Sequence, residues 1–259
     1  MDRESPEVEL PSRRIARDLR DAITSGEIAP GQKLPSEREL AAQYSAARNT
    51  ARGAIRLLAE EGLVSAEHGR GVFVRQKQRL LQFGSERYSR QLRKETGLSP
   101  FRAEVAKQGR TARVECTSIE NVPAPVDVAE RLHVSADDVS VVRRENWYFA
   151  DEDPVQIGVT YIPLTIAGGS VLATSANMGR GSLYARFAEL GHSISRVREE
   201  ITSRMPTPDE ARLLHIPEGV PILHVVHTSI DQQGTPFEVT TFVMRADLTG
   251  LDYNMPVES

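Results

Sequence analysis

A single cysteine, Cys116, stands in the 259-residue chain. It excludes an intramolecular disulfide and any zinc site built on cysteines, and with no nucleophile motif around it the residue reads as a small core side chain. No apolar run approaches the roughly 20 residues that span a bilayer. The N-terminus alternates charges where a secretory signal would be apolar, so a cytoplasmic location is expected. Also missing are a Gly-rich phosphate loop, a G-x-S-x-G elbow, an H-E-x-x-H helix and a clear carboxylate pair. His224 and His227, three apart on an expected strand, point to opposite faces, which argues against a shared metal. No enzyme, cofactor or metal is expected.

An excess of positive charge is lacking too: 32 Lys and Arg stand against 36 Asp and Glu, and the pI is about 5.9. Spread evenly, that balance would count against a nucleic-acid partner, because affinity for phosphates comes from Lys and Arg. It is not spread evenly. Residues 1–76 carry 12 basic and 12 acidic side chains, residues 77–110 carry 9 against 3, and residues 111–259 carry 11 against 21. Such asymmetry points to two modules with different partners.

Three helical patterns fit the first 62 residues. The first opens at Ser12 as N-cap, lines up Ile15, Leu19 and Ile23 on one face and stops at Gly26. After a Pro30-Gly31 turn, Ser36-Glu37-Arg38-Glu39 forms an S-x-x-E capping box, which predicts a short second helix with Leu40, Ala41 and Tyr44 on its apolar side. The third is expected over 47–61, with Ala47, Ala51, Ala54 and Leu58 facing inward and Arg48, Asn49, Arg52 and Arg56 outward. Two short helices around a tight break, the second exposing Arg48, Asn49 and Thr50 at its start, suit a helix-turn-helix entering a major groove. Leu63–Ser65 and Val72–Val74 then flank a glycine-bearing turn that carries His68 and Arg70, a wing.

P-S-E-R-E-L-A at 35–41, R-N-T-A-R at 48–52, L-L-A-E-E-G-L-V at 57–64 and H-G-R-G-V-F-V at 68–74 resemble the winged helix-turn-helix of the GntR family of bacterial transcription regulators. The resemblance implies a DNA-binding domain over 10–76 and DNA contacts from Arg38, from Arg48, Asn49, Thr50 and Arg52, and from His68, Gly69 and Arg70 of the wing. Arg48 or Arg52 suits guanine O6 and N7; Thr50 and the Gly69 amide suit phosphate oxygens. Ala46-Ala47 departs from the hydroxyl-bearing pair common in the family. Residues 77–96 read as a linker, and seven basic groups against one acidic over 75–94 place it either near the DNA backbone or simply in solvent.

From about residue 97, β-rich segments alternate with short helices, which predicts an α+β fold with a mostly antiparallel sheet and a closing hairpin, Ile222–Ile230 and Pro236–Arg245, turning at Gln232-Gln233-Gly234. The order of Ala150-Asp151-x-x-Pro154, Tyr161-Ile162-Pro163, Gly181-Ser182-Leu183-Tyr184, Gly219-x-Pro221 and Gly234-x-Pro236-Phe237-Glu238 resembles the UTRA effector-binding domain of the HutC subfamily, whose fold is like that of chorismate lyase. The resemblance assigns 97–254 to effector binding and dimerisation and offers Ser182 and Tyr184 as ligand contacts, with exposed amides at that helix start suited to an anion. Where phosphosugar-responsive members carry an Arg-x-Arg pair and a Glu, this chain has Asn146, Tyr148 and Gly158, so an aminosugar phosphate gripped in that way is not expected. Arg144, Gln156, Tyr161 and Glu238 complete the candidate pocket; Tyr161 and Glu238 equally suit a core filler and a surface ion pair. The implied function is a homodimeric, ligand-responsive regulator, a repressor on a palindromic operator. The alternative is a constitutive repressor whose C-terminal domain only dimerises.

Overall fold

Pro11 sits in the first turn of helix α1 (Pro11–Ser25), where its missing N–H costs nothing, and Gly26 closes the helix in the left-handed region at φ 83°. The computed structural model describes residues 10–67, 69–75, 81–84, 88, 89, 91 and 95–254. The N-cap is Leu10, whose side chain makes no capping bond, so the expected start at Ser12 falls inside the helix. Helix α2 (Glu37–Gln43) has the full capping box: the Glu39 amide donates to the Ser36 hydroxyl and the Glu39 carboxylate accepts from the Ser36 backbone. Ser45, at φ 50°, breaks the chain before α3 (Arg48–Glu60).

Ala51, Ala54 and Leu58 of α3 are fully buried against Ile15, Ala16 and Leu40. Methyl side chains let the helices approach closely. Ala47 is the exception in the expected stripe, an exposed N-cap lying just before the first turn. Strands β1 (Val64–Glu67) and β2 (Gly71–Val74) pair antiparallel as the wing, and the Lys33–Phe73 bridge ties it to the turn before α2. His68 and most of the basic stretch 77–96 lie outside the described residues.

The chain divides into two compact units, Met1–Gln78 with Ile216–Val220, and Arg79–His215 with Pro221–Ser259. The second is built on six strands, β4 (Ala112–Pro123), β5 (Val139–Ala150), β6 (Asp153–Pro163), β7 (Ile194–Arg204), β8 (Ile222–Asp231) and β9 (Pro236–Arg245), in the order β4-β5-β6-β9-β8-β7. Every neighbouring pair is antiparallel, in keeping with the sequence pattern. The β8–β9 turn uses Gly234 at φ 83° and the Asp231 carboxylate, which accepts from the Gln233 and Thr235 amides. A parallel pair, β3 (Leu81–Gly84) with β10 (Thr249–Asp252), was not expected from the sequence.

Helix α5 (Val126–Leu132) seals one face of the sheet, burying Val128, Ala129 and Leu132 on Val141, Val226 and Val239. On the other face α4 (Pro100–Lys107) packs Phe101 and Val105 at one end. At the other end α6 (Leu164–Ala167), α7 (Val171–Thr174) and α8 (Ser182–Glu189) pack against Val142 and Ile162. The middle of that face is left open between the two helical groups.

Helix α9 (Pro208–Leu213) is pinned by Glu210, which completes a capping box with Thr207 and takes a two-pronged bond from Arg204 at 2.7 and 2.7 Å. The Arg204 fork, with the cap bonds, holds the Glu210 carboxyl at about 2 instead of 4.5. A depressed carboxylate stabilises the fold fully above its unfolded value and loses that contribution as pH falls through the folded one. Glu210→Gln is therefore expected to lower stability at pH 6 and to flatten the loss between about pH 4.5 and 2, as read from urea midpoints across that range.

Candidate functional site

The first unit presents a basic surface whose arginines are not equivalent. Arg38, Arg48 and Asn49 are exposed, Thr50 is half-buried, and Arg38 and Arg48 form no ion pair among the described residues. Arg52 is exposed as well, but its guanidinium is forked onto Glu37 at 2.8 and 2.8 Å, joining α3 to the start of α2. That fork holds the Glu37 carboxyl below the usual carboxylate range. On the wing Arg70 pairs with Glu67 and lies 5.4 Å from the centre of the Phe73 ring, while Gly69 is exposed at φ 73° at the tip. The sequence pattern gave no sign of the Glu37–Arg52 pair, since its partners are fifteen residues apart on different helices.

In the second unit the open middle of the sheet is the floor of a cavity of about 640 Å³. Cross-strand register arranges that floor in rows. One row runs Val114, Tyr148, Gln156, Met244; the next Cys116, Asn146, Gly158, Phe242; the third Arg144, Thr160, Thr240, His227. Five of the six expected pocket residues, Arg144, Gln156, Ser182, Tyr184 and Glu238, line the cavity. Tyr161 does not. Strand alternation turns it to the opposite face, where it packs with Val128, Leu132 and Val239 under α5. Cys116 is in the cavity wall rather than the core; desolvation pushes its thiol up, so it stays protonated.

Polar groups on the floor are buried and mostly held by neutral partners. The Arg144 guanidinium donates to the Leu172 carbonyl at 2.5 Å and the Ser175 carbonyl at 2.8 Å, and its Nε is buried without a partner. Gln156 Oε1 is likewise buried and unpartnered. Glu238 accepts from the Ser229 hydroxyl at 2.8 Å and the Thr240 hydroxyl at 2.6 Å, and Thr240 lies 2.8 Å from Thr160. Ser229 in turn is 2.9 Å from His227 Nε2, whose other nitrogen is 3.1 Å from Glu199. Tyr88 stacks on His227 and donates to Glu199 at 2.5 Å. Desolvation pushes the Tyr148 and Tyr184 hydroxyls well above the ordinary phenol range, which keeps both rings neutral.

Tyr88, which lines the cavity, and His227, buried beside it, were not singled out from the sequence as pocket groups. His227 was legible: it shares the parity of Ser229, and its neighbour on β9 is Thr240. Tyr88 sits in a stretch with no periodic pattern to place it. His224, three residues from His227, belongs to the other face of β8 with Val226.

The profile described as bacterial regulatory proteins of the gntR family matches residues 11–74, and that of the UTRA domain matches residues 107–249. The chain belongs to the GntR family. Its winged helix-turn-helix followed by a UTRA domain is the HutC-type architecture, and this GntR protein is a transcription regulator with an effector-binding domain. It is 29% identical to the HTH-type transcriptional repressor NagR of Bacillus subtilis over 90% of both chains. It is 30% identical to the HTH-type transcriptional regulator RB1450 of Rhizobium meliloti over 91% of both. A crystal structure of another GntR-family transcriptional regulator superposes with a TM-score of 0.68 at 25% identity, covering 96% of this chain and 99% of that one. Among the described residues no helix is long and apolar enough to cross a membrane.

Gly158 shows how the UTRA floor is shaped. A Cβ added there would stand 2.8 Å from the Phe242 ring and 3.1 Å from the Tyr148 ring, which pack edge to face at 6.1 Å between centres. Two aromatic rings thus occupy the ground over a position where phosphosugar-responsive relatives are expected to carry a carboxylate. Gly158→Val is expected to destabilise the domain by about 1–3 kcal/mol through overpacking, seen as a lower urea midpoint; an unchanged midpoint would mean that the rings swing aside.

Proposed function

We propose that this regulator is a ligand-responsive repressor: a homodimer that binds a palindromic operator through residues 10–76, joined by 77–96 to a domain over 97–254 that dimerises and takes a small-molecule effector. It acts in the cytoplasm, where its operator is. The observation that carries the reading is the cavity, whose volume of about 640 Å³ falls within the roughly 300–1,000 Å³ typical of small-molecule sites. Its wall holds buried polar atoms with no protein partner. The relative described as a repressor supports the sign of regulation.

The reading assigns Arg48 and Asn49 to base edges and Arg38, Thr50, Gly69 and Arg70 to the backbone, with His68 on the wing completing the set. Arg52, forked on Glu37, orients the reading helix as much as it reads. One recognition helix covers only a few base pairs, so two copies on a two-fold site supply both affinity and register. An effector releases the operator only by binding the DNA-incompetent arrangement more tightly, since a ligand shifts an equilibrium by its differential affinity.

Footprinting on the DNA around the protein's own gene, with and without a metabolite panel, tests the reading. A protected two-fold site that is lost with one metabolite is expected; protection indifferent to every metabolite would leave a constitutive repressor. Arg48→Ala is expected to weaken specific binding by about 1–3 kcal/mol, roughly 5- to 150-fold in gel shifts, with circular dichroism unchanged.

A further inference from the structure

Two buried charges of opposite sign face the same cavity, and neither has a charged partner among the described residues. Arg144 is 1% exposed and Glu238 2%. Among the described residues one other charged side chain lines the space, Arg102, which is exposed and bonded to the Ala112 carbonyl. Arg144 is held by backbone carbonyls and Glu238 by two hydroxyls; among the described residues neither forms an ion pair. His227 reaches Glu238 through the Ser229 hydroxyl, and its other ring nitrogen lies 3.1 Å from Glu199. Burying an uncompensated charge costs several kcal/mol. Two such charges of opposite sign, on one face of one cavity, make the wall complementary to a molecule that brings the missing partners.

The geometry separates the two ends. Thr160 lies between Arg144 on β5 and Thr240 on β9, so those two backbones are two strand spacings apart, roughly 10 Å. Glu238 is two residues further along β9, its carboxylate turned toward Thr240. The floor between them carries Thr160 and Thr240; the aromatic and thioether ground, Tyr148, Phe242 and Met244 with Met178 on the facing loop, lies on the other side of Arg144. A short, flexible spacer fits the ground between the charges, and an apolar substituent fits the aromatic ground beside it.

We propose that the effector is a zwitterion, an amino-acid-like molecule with its ammonium group on Glu238, its carboxylate on Arg144 and a spacer that crosses the Thr160–Thr240 ground between them. This rests on the reading of the cavity as the effector site and goes beyond it by fixing the charge pattern of the ligand. The unfilled Gln156 carbonyl oxygen accepts a further donor from the same molecule.

The test uses the full chain in thermal-shift and calorimetric titrations with ω-amino acids of four to eight carbons. Diamines and dicarboxylates of equal length, and glucosamine 6-phosphate, serve as matched controls. Saturable stabilisation by at least one amino acid is expected, absent with the diamine and dicarboxylate of that length. Glu238→Gln keeps the shape and the hydroxyl partners, and should weaken that binding at least tenfold while leaving the ligand-free protein folded. Because Arg144 also holds the 172–175 turn, Glu238→Gln is the deciding variant. Stabilisation by a dicarboxylate, a diamine or the sugar phosphate and not by any amino acid overturns the zwitterion and leaves ligand response standing. The same holds for unchanged affinity in Glu238→Gln. If no amino acid binds and no metabolite releases the operator, both the zwitterion and ligand response fall.

Discussion

Antiparallel register across β5, β6 and β9 is the constraint on which the rest of the effector domain depends. With a side-chain period of two, one register puts Arg144, Asn146 and Tyr148 beside Gln156, Gly158 and Thr160, and these beside Thr240, Phe242 and Met244. A slip of one residue would send the apolar set meant for α5 into the cavity and bury Arg144 and Glu238 beneath that helix. The helices on the open face then need only cover its two ends. Their division of labour, α4 at one side and α6 to α8 at the other, leaves the cavity between them.

Much of this was legible in the sequence because the signals are local. The capping box at Ser36–Glu39, the buried Ala51, Ala54 and Leu58, and the β8–β9 hairpin with its turn all follow from spacing and turn chemistry within a few residues. What was not legible depends on contacts distant in sequence. Tyr161 and Thr160 are neighbours in the chain and lie on opposite faces, and only the β5–β6 register says which is which. Cys116 looked like core by composition, but β4 carries it to the cavity wall through its pairing with Asn146. The parallel β3–β10 pair joins segments about 170 residues apart, beyond the reach of any local pattern.

The net charge of -4 conceals a division between a reading head with as many bases as acids and an effector domain rich in carboxylates. Many of those carboxylates stay near the surface, paired with arginines such as Arg204, Arg131 and Arg110. Among the buried acids Glu104 meets Lys107 and Asp231 meets the His192 ring, whereas Glu238 is bonded by two hydroxyls. A fold that spends so many arginines on surface acids yet leaves this one without a cation treats the two positions differently.

The Glu37–Arg52 fork also bears on ionic strength. Affinity for a polyanion falls with salt in proportion to the phosphates that a protein neutralises. Arg52 and Arg70 each come to the reading surface already balanced, by Glu37 and Glu67. In the proposed mode of DNA binding these two arginines would displace fewer counterions than their charge suggests, and more of the binding energy would rest on the fit of the helix to the groove. On that proposal, the head would give up less grip as salt rises and would hold weakly to DNA at large.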